Sequence, residues 1–462
     1  MTRKSENAAT LSSLLGITDE EAANLLEVPI SITVDESDRT GRALAHELAK
    51  LLSRTVTSVE INPKEHTASI EVVIGAAWPK TSHILPVTVT EGEIQIGGSA
   101  ARKECSSEIA SVVPLIAACY TAGMALKAAL GDSFVLPGPS PTEGMVISIA
   151  DILGEDQSWI ERETLFSDTY LAGAGAIGNG FLYGLSHFRP VGTLTIVDPD
   201  KVSDGNTNRC ILFQDEDIPH PKALRLAKNA QSMFPFCELL PEEATIQQLG
   251  KRKDGRWLYR LIVAVDSRRA RRSLQNEIPG EVFDASTTGA VECVLHHHKQ
   301  PTELACLACV YHEAPDELAR ERHIAELLGV DIELVKQHYV TPEAAQQITQ
   351  KYPNIPQQEL AGQAYDSLFK ALCGEQRLKT AENRQVLAPF AFVSVLAGVL
   401  LAIDVVRRLS QDDDAPNFNY FRLSPWAPPV QDLRQERPRN IACEFCSQQV
   451  LLETARRIWT RT

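Results

Sequence analysis

The stretch Thr169–Lys222 limits what this chain can fold into more than any other. Thr169-Tyr170-Leu171-Ala172 is a short apolar run, and Gly173-Ala174-Gly175-Ala176-Ile177-Gly178 follows it with the spacing G-x-G-x-x-G. A helix-like segment comes next, then a second apolar run, Leu194-Thr195-Ile196-Val197, ending in Asp198-Pro199-Asp200. Strand, glycine turn, helix, strand and acid in that order make the mononucleotide-binding βαβ unit. The glycines let the backbone close on a phosphate, and the helix amino terminus offers N–H groups and a positive dipole end. Asp198 falls about 20 residues beyond the turn, where a carboxylate can accept hydrogen bonds from ribose hydroxyls.

That pattern alone also fits dehydrogenases and flavoproteins, so the residues after it decide. Asn206 and Arg209 stand in Asn206-Thr207-Asn208-Arg209, and Lys222 in His220-Pro221-Lys222-Ala223. Asp266 follows a third apolar run, Leu261-Ile262-Val263-Ala264-Val265. A dehydrogenase needs no Asn, Arg and Lys just past its ribose acid. A site that splits the α–β phosphate linkage of ATP does.

On these residues the chain resembles the ThiF/MoeB/ubiquitin-activating family. That family's pattern runs G-x-G-x-x-G, D-x-D-x-V, S-N-x-x-R-Q, a later Lys, then an Asp at a strand tip. Asp198-Pro199-Asp200-Lys201-Val202 fits the second element, and Asn206 with Arg209 the third. Two positions depart: Gly205 stands where the family has Ser, and Cys210 where it has Gln. Neither change removes a charged group. The resemblance implies an α/β, Rossmann-like ThiF-type adenylation fold that activates the C-terminal carboxylate of a ubiquitin-like protein with ATP and Mg²⁺. It implies that Arg209 and Lys222 contact phosphate, Asn206 orients it, Asp198 holds ribose and Asp266 binds Mg²⁺. Gly173–Gly178 and Asp200 complete the expected nucleotide site.

Composition narrows the partners. The formal charge of −15 over 462 residues argues against a nucleic-acid surface, which would be basic. No apolar run has membrane-spanning character; Val386–Val406 comes nearest, and Pro389 and Asp404 interrupt it. Met1–Asn7 lacks a hydrophobic signal core, so a cytoplasmic protein is expected. Four of the ten cysteines form two C-x-x-C pairs, Cys306/Cys309 and Cys443/Cys446. In a reducing compartment such pairs read as a four-thiolate structural Zn²⁺ site. Similar pairs occur in many family members at these two places.

The chain divides, on this reading, into a helical lead-in (1–28), an N-terminal α/β unit (29–135), a Pro-rich linker (136–165), the first part of the adenylation core (166–312), a helical insert or crossover (313–385) and the second part of the core (386–462). An echo links the two α/β units. Pro114 precedes Ala122-Gly123 at the same offset as Pro389 precedes Ala397-Gly398. Two buried helices of like composition would give the same echo. A degenerate duplication explains it too, because Asp35-Glu36-Ser37-Asp38-Arg39-Thr40 replaces the glycine turn with carboxylates that would repel a triphosphate. Eukaryotic-type activating enzymes pair an inactive adenylation domain with an active one, and this chain is similar to that arrangement.

Arg268, Arg269, Arg271 and Arg272 follow Asp266 and read as a solvated basic helix face, or as a hold for a carboxylate-bearing partner. His296 and His298 fall on one strand face without a supporting acid or cysteine spacing. Cys373, in Leu372-Cys373-Gly374-Glu375, is the only cysteine between the C-x-x-C pairs. By resemblance it is the candidate thioester nucleophile, with Cys210 its rival and Cys237 and Cys293 read as core. The acyl group would pass to a ubiquitin-conjugating-type enzyme. Arg39, Arg42 or Arg3 could supply the arginine that relatives receive from a partner domain, and homodimerisation stays open. A ubiquitin-like fold of the size found at the C-terminus of some eukaryotic relatives is not expected after Cys446. The arrangement is similar to activating enzymes of bacterial conjugation operons linked to phage defence. A sulfur-carrier adenylyltransferase of the MoeB/ThiF type is the alternative in the same class. A nucleotide-binding scaffold or Rossmann oxidoreductase is the alternative outside it.

Overall fold

Two sheets with one strand order organise the molecule. The computed structural model describes residues 3–460 apart from 66–67, 132, 250–256, 313–314, 338, 364, 366–367, 370–388, 411–417 and 431–433. It opens with α1 (Arg3–Leu15) and α2 (Asp19–Leu25). Thr18 and Glu21 form a reciprocal capping box at the start of α2.

The first sheet takes β1 (Pro29–Val34), β2 (Ser58–Ile61), β3 (Ile70–Ile74), β4 (Ile84–Val89), β5 (Glu93–Ile96) and β6 (Met145–Ser148), in the order β2-β1-β3-β4-β5-β6. Its first four strands run parallel, and β5 and β6 turn antiparallel. Helix α3 (Arg39–Leu52) follows β1, and α4 (Val113–Leu130) lies between β5 and β6. The segment 136–165, expected as a connector, supplies β6 and then α5 (Ile149–Leu153). Its prolines make the turn, but Met145 and Ile147 alternate inward on the edge of the sheet.

The second sheet takes β7 (Glu163–Ala172), β8 (Arg189–Val197), β9 (Cys237–Glu242), β10 (Arg260–Val263), β11 (Glu281–Thr288), β12 (Glu292–Lys299), β13 (Tyr420–Leu423) and β14 (Arg434–Gln435). Its order is β14-β13-β12-β11-β10-β7-β8-β9. Strands β9, β8, β7, β10 and β11 are parallel, and the rest antiparallel. Read from β8 to β13, this is the first sheet strand for strand, with β9 and β14 added at the edges. The helices correspond as well. α6 (Ala176–Leu185) follows β7, and α14 (Ala391–Ser410) lies between β12 and β13. Between them come α7 (Lys222–Ala230), α8 (Arg268–Asn276), α9 (Leu307–Val310), α10 (Pro315–Leu328), α11 (Ile332–Val335), α12 (Pro342–Lys351) and α13 (Gln357–Leu360); α15 (Gln449–Trp459) ends the chain.

Small residues let these helices close up. α14 lies along α6, where a Cβ on Gly398 would come within 2.3 Å of the Gly180 backbone. α14 also meets α3 and α4, so one apolar core runs through both sheets. Among the described residues α4 is the one helix long and apolar enough to cross a membrane, yet 83% of it is buried in this core. The segment 386–406 singled out from the sequence contributes the equivalent buried helix, α14. The helical insert has its own small core of Ile324, Leu328, Val335, Ile348 and Tyr365.

Candidate active site

The three glycines of the turn after β7 serve different ends. Gly173 has φ +103, and a Cβ there would lie 2.7 Å from the Ala264 carbonyl oxygen. A Cβ on Gly178 would lie 2.1 Å from the Gly173 carbonyl oxygen. Gly175 is different, because a Cβ there would meet no protein atom within 4 Å. Gly173 and Gly178 therefore permit the turn and the helix–strand contact, while Gly175 leaves open the space in front of α6. Gly175 caps α6 with no side chain, so the helix amino terminus keeps its N–H groups for a ligand.

The matching turn in the first sheet is closed. Asp38 caps α3, accepting the Gly41 N–H at 2.6 Å and the Cys105 N–H at 3.0 Å. Its carboxylate occupies the position at this helix terminus where an anion would bind.

Asn179 was not picked out from the sequence. Its side-chain amide donates to the Ala174 and Gly175 carbonyls at 2.9 Å each, and its oxygen accepts the Leu212 N–H at 3.1 Å. Fully buried, it ties the glycine turn to the loop that carries Asn206 and Arg209. The available signal was a polar residue between glycines in an otherwise apolar helix.

At the end of β8 the Asp198 carboxylate accepts the Ala174 N–H at 2.7 Å and the Asp200 N–H at 2.8 Å. Burial pushes its pKa up, Lys222 counters that, and Asp200 adds to it, leaving it at about 6. Lys222, first residue of α7, pairs with Asp200 at 3.0 Å. Burial alone would favour the neutral amine, but Asp200 and Asp198 overcome it and hold the ammonium charged. Asn206 accepts from the Ser203 N–H at 3.0 Å and so shapes its own turn. Arg209 donates through Nη1 to the Gly205 carbonyl at 2.7 Å and to Asn208 Oδ1 at 2.9 Å. Asp266 stands exposed beyond β10, in the turn before α8. These groups gather at the carboxyl ends of β7, β8 and β10, where the strand order reverses direction and open α/β sheets bind ligands. Tyr339 of the insert, another residue the sequence did not flag, reaches the same place. Burial raises its phenol pKa, and the field of Asp198, Asp200 and Asp266 raises it further.

The arginine run of α8 corrects the expectation of either a solvated face or a partner-binding face. Arg269, Arg271 and Arg272 are buried. Arg269 pairs with Glu321 of the insert at 3.0 Å, Arg271 with Asp284 and the Val265 carbonyl, and Arg272 with the Tyr311 carbonyl at 3.0 Å. Arg268 is exposed and donates to the His312 carbonyl at 3.1 Å. The run fastens the segments behind Asp266 to one another. Arg39 and Arg42 are exposed on the first turn of α3, and Arg3 begins α1.

Cys306, Cys309, Cys443 and Cys446 converge, all sulfurs within 4.8 Å of one another and four of the pairs at 3.6–3.8 Å. Four thiolates about 2.3 Å from a tetrahedral zinc would be about 3.8 Å apart, so the cluster fits that ion. The Asn440 N–H points at Cys309 Sγ at 3.3 Å. His296 bonds the Ala305 carbonyl and lies ring to ring with His298 at 5.2 Å, next to this cluster rather than in it. Cys373 lies outside the described residues. Cys210, its rival, is 1% exposed, and burial pushes its thiol pKa up.

Residues 147–445 match the ThiF family, and residues 2–140 match the E1 N-terminal domain. A curated relative, the uncharacterized protein y4jF of Sinorhizobium fredii (strain NBRC 101917 / NGR234), is 28% identical over 262 residues, 52% of this chain and 48% of that protein. The chain thus spans about half the length of the curated relative it matches. Similar solved structures include E. coli MccB with ATP, 13% identical, covering 65% of this chain and 77% of that one at TM-score 0.39. E. coli MccB with selenomethionine MccA is 14% identical, covering 63% and 68% at TM-score 0.39.

Proposed function

Because the chain belongs to the ThiF family of adenylating enzymes, we propose that it activates the C-terminal carboxylate of a ubiquitin-like protein with ATP and passes the acyl group on as a thioester. One observation carries the proposal: a single face holds an uncapped helix terminus behind Gly175, together with Arg209, Lys222, Asp198 and Asp266. The match of residues 2–140 to the E1 N-terminal domain supports the ubiquitin-like output over a sulfur-carrier one.

The chemistry must overcome charge, since a carboxylate attacks a polyanion. The α6 N–H groups and Arg209 take up phosphate charge. Lys222 shifts from Asp200 toward phosphate or stays and fixes the loop. Asp198, already holding Ala174, presents its remaining lone pairs to ribose hydroxyls. Mg²⁺, which ThiF-type adenylation implies and Asp266 would ligate through oxygen, neutralises phosphate charge when bound. The substrate carboxylate oxygen bonds to the α-phosphorus as pyrophosphate leaves. The Cys373 thiolate then attacks the acyl carbon, the bond to AMP oxygen breaks, and AMP departs with that electron pair. The N-terminal unit is an inactive copy whose phosphate position is filled by Asp38. Acceptance of the thioester by a conjugating-type enzyme, and a role in phage defence, rest on the resemblance alone.

The test mixes the full chain with ATP, Mg²⁺ and candidate ubiquitin-like proteins and looks for a reductant-sensitive adduct. The adduct is expected to vanish in Cys373→Ala while pyrophosphate release persists. An adduct that survives Cys373→Ala places the nucleophile elsewhere, and pyrophosphate release with no adduct in the parent chain leaves an adenylyltransferase alone.

A further inference from the structure

We propose that α1 belongs to the nucleotide site: Glu6 and Asn7 are positioning residues that set the guanidinium of Arg209 for phosphate. The proposal rests on the reading of Arg209 as a phosphate ligand. Two routes run from α1 to that guanidinium. Glu6 Oε2 lies 3.5 Å from Arg209 Nη1, and both side chains are about one-fifth exposed. Asn7 accepts from Asn208 Nδ2 at 3.1 Å, and Asn208 Oδ1 accepts from the same Nη1 at 2.9 Å. Asn7 is itself fixed, donating to the Arg54 carbonyl at 2.7 Å. Arg54, also from the N-terminal unit, donates to the carbonyls of Thr207, Ile211 and Phe213 along the same loop.

Among the described residues, every hydrogen bond and ion pair of the Arg209 guanidinium therefore falls on Nη1. Nε and Nη2, the other edge of the fork, have no protein acceptor among the described residues. A guanidinium pinned by one nitrogen and open along the opposite edge is set for two parallel hydrogen bonds to phosphate oxygens. Gly205 belongs to the same device. A Cβ there would sit 3.0 Å from Glu6 Oε1, so the residue that departs from the family's Ser is the one that makes room for Glu6. The N-terminal unit thus acts on the second unit's chemistry through α1 and Arg54, although its own turn is closed.

The experiment measures ATP and adenosine affinity of the full chain by calorimetry, with thermal midpoints alongside. Glu6→Ala and Asn7→Ala are expected to weaken ATP about tenfold, the scale of one charge-assisted hydrogen bond, and to leave adenosine unchanged. Glu6→Gln, which keeps an acceptor, recovers most of the loss. Arg209→Ala weakens ATP, and adding Glu6→Ala to it costs nothing more. Gly205→Ser weakens ATP in the parent chain but not in the Glu6→Ala background. Equal losses for ATP and adenosine, or additive losses in the Glu6→Ala/Arg209→Ala double variant, overturn the proposal and leave α1 a purely structural helix. Unchanged ATP affinity in Arg209→Ala overturns the reading of Arg209 itself.

Discussion

At the scale of single residues, the glycine turn separates demands of the fold from demands of a ligand. Gly178 cannot gain a Cβ without striking the Gly173 carbonyl, whereas Gly175 can, into open space. Gly175 also has φ −76, which any residue adopts. Gly175→Ala is therefore expected to keep the thermal midpoint of the parent while losing ATP affinity about tenfold or more, by blocking close backbone approach. Gly178→Ala should lower the midpoint. Equal ATP affinity in Gly175→Ala would mean that no phosphate approaches that turn. The residues of this site were legible because each carries chemistry at a fixed offset: Asp198, Asn206, Arg209, Lys222 and Asp266. Asn179 and Tyr339 were not. The first joins the nearby Ala174 and Gly175 carbonyls to the Leu212 N–H far along the chain, and the second arrives from an insert whose path no local pattern encodes.

Elements tell a second story, of two helices with one address and different packing. α4 lies between β5 and β6 and α14 between the corresponding strands β12 and β13, and each carries the Ala-Gly pair noticed in the sequence. Their glycines are under different constraint. A Cβ on Gly398 would press into the α6 backbone at 2.3 Å, but one on Gly123 would touch the Phe392 ring edge at 3.3 Å. Gly398→Ala should cost about 2–3 kcal/mol by forcing helices apart, and Gly123→Ala under about 1 kcal/mol, since a ring can give by tenths of an ångström. Chemical denaturation of both variants checks this, and equal losses would contradict the packing described. The echo was visible as composition, while its meaning needed the strand order. The arginines of α8 show the opposite failure. Four charges in five residues read as solvated, because burial of Arg269, Arg271 and Arg272 depends on Glu321, Asp284 and Tyr311, all distant in sequence. The linker hid β6 for the same kind of reason, since an edge strand of four residues has too short a period to stand out beside three prolines.

Across the whole molecule, two sheets of one topology differ at one decisive point. The α6 terminus has no side-chain cap, and the α3 terminus is closed by Asp38. On the proposed reading the nucleotide binds at the α6 terminus, and the closed unit reaches the loop beside it through α1 and Arg54. The four cysteines bring the segment after β12 and the C-terminal tail together, so a metal bound there would clip the tail to the body. On the proposed function this site joins a carboxylate to AMP. ATP–pyrophosphate exchange, measured with the full chain and a ubiquitin-like protein bearing its free C-terminus, reads that reaction directly. Exchange is expected to require the carrier's terminal carboxylate and Mg²⁺ and to collapse in Arg209→Ala. Exchange that proceeds undiminished in Arg209→Ala, or none with any carrier that presents a free C-terminal carboxylate, would contradict it.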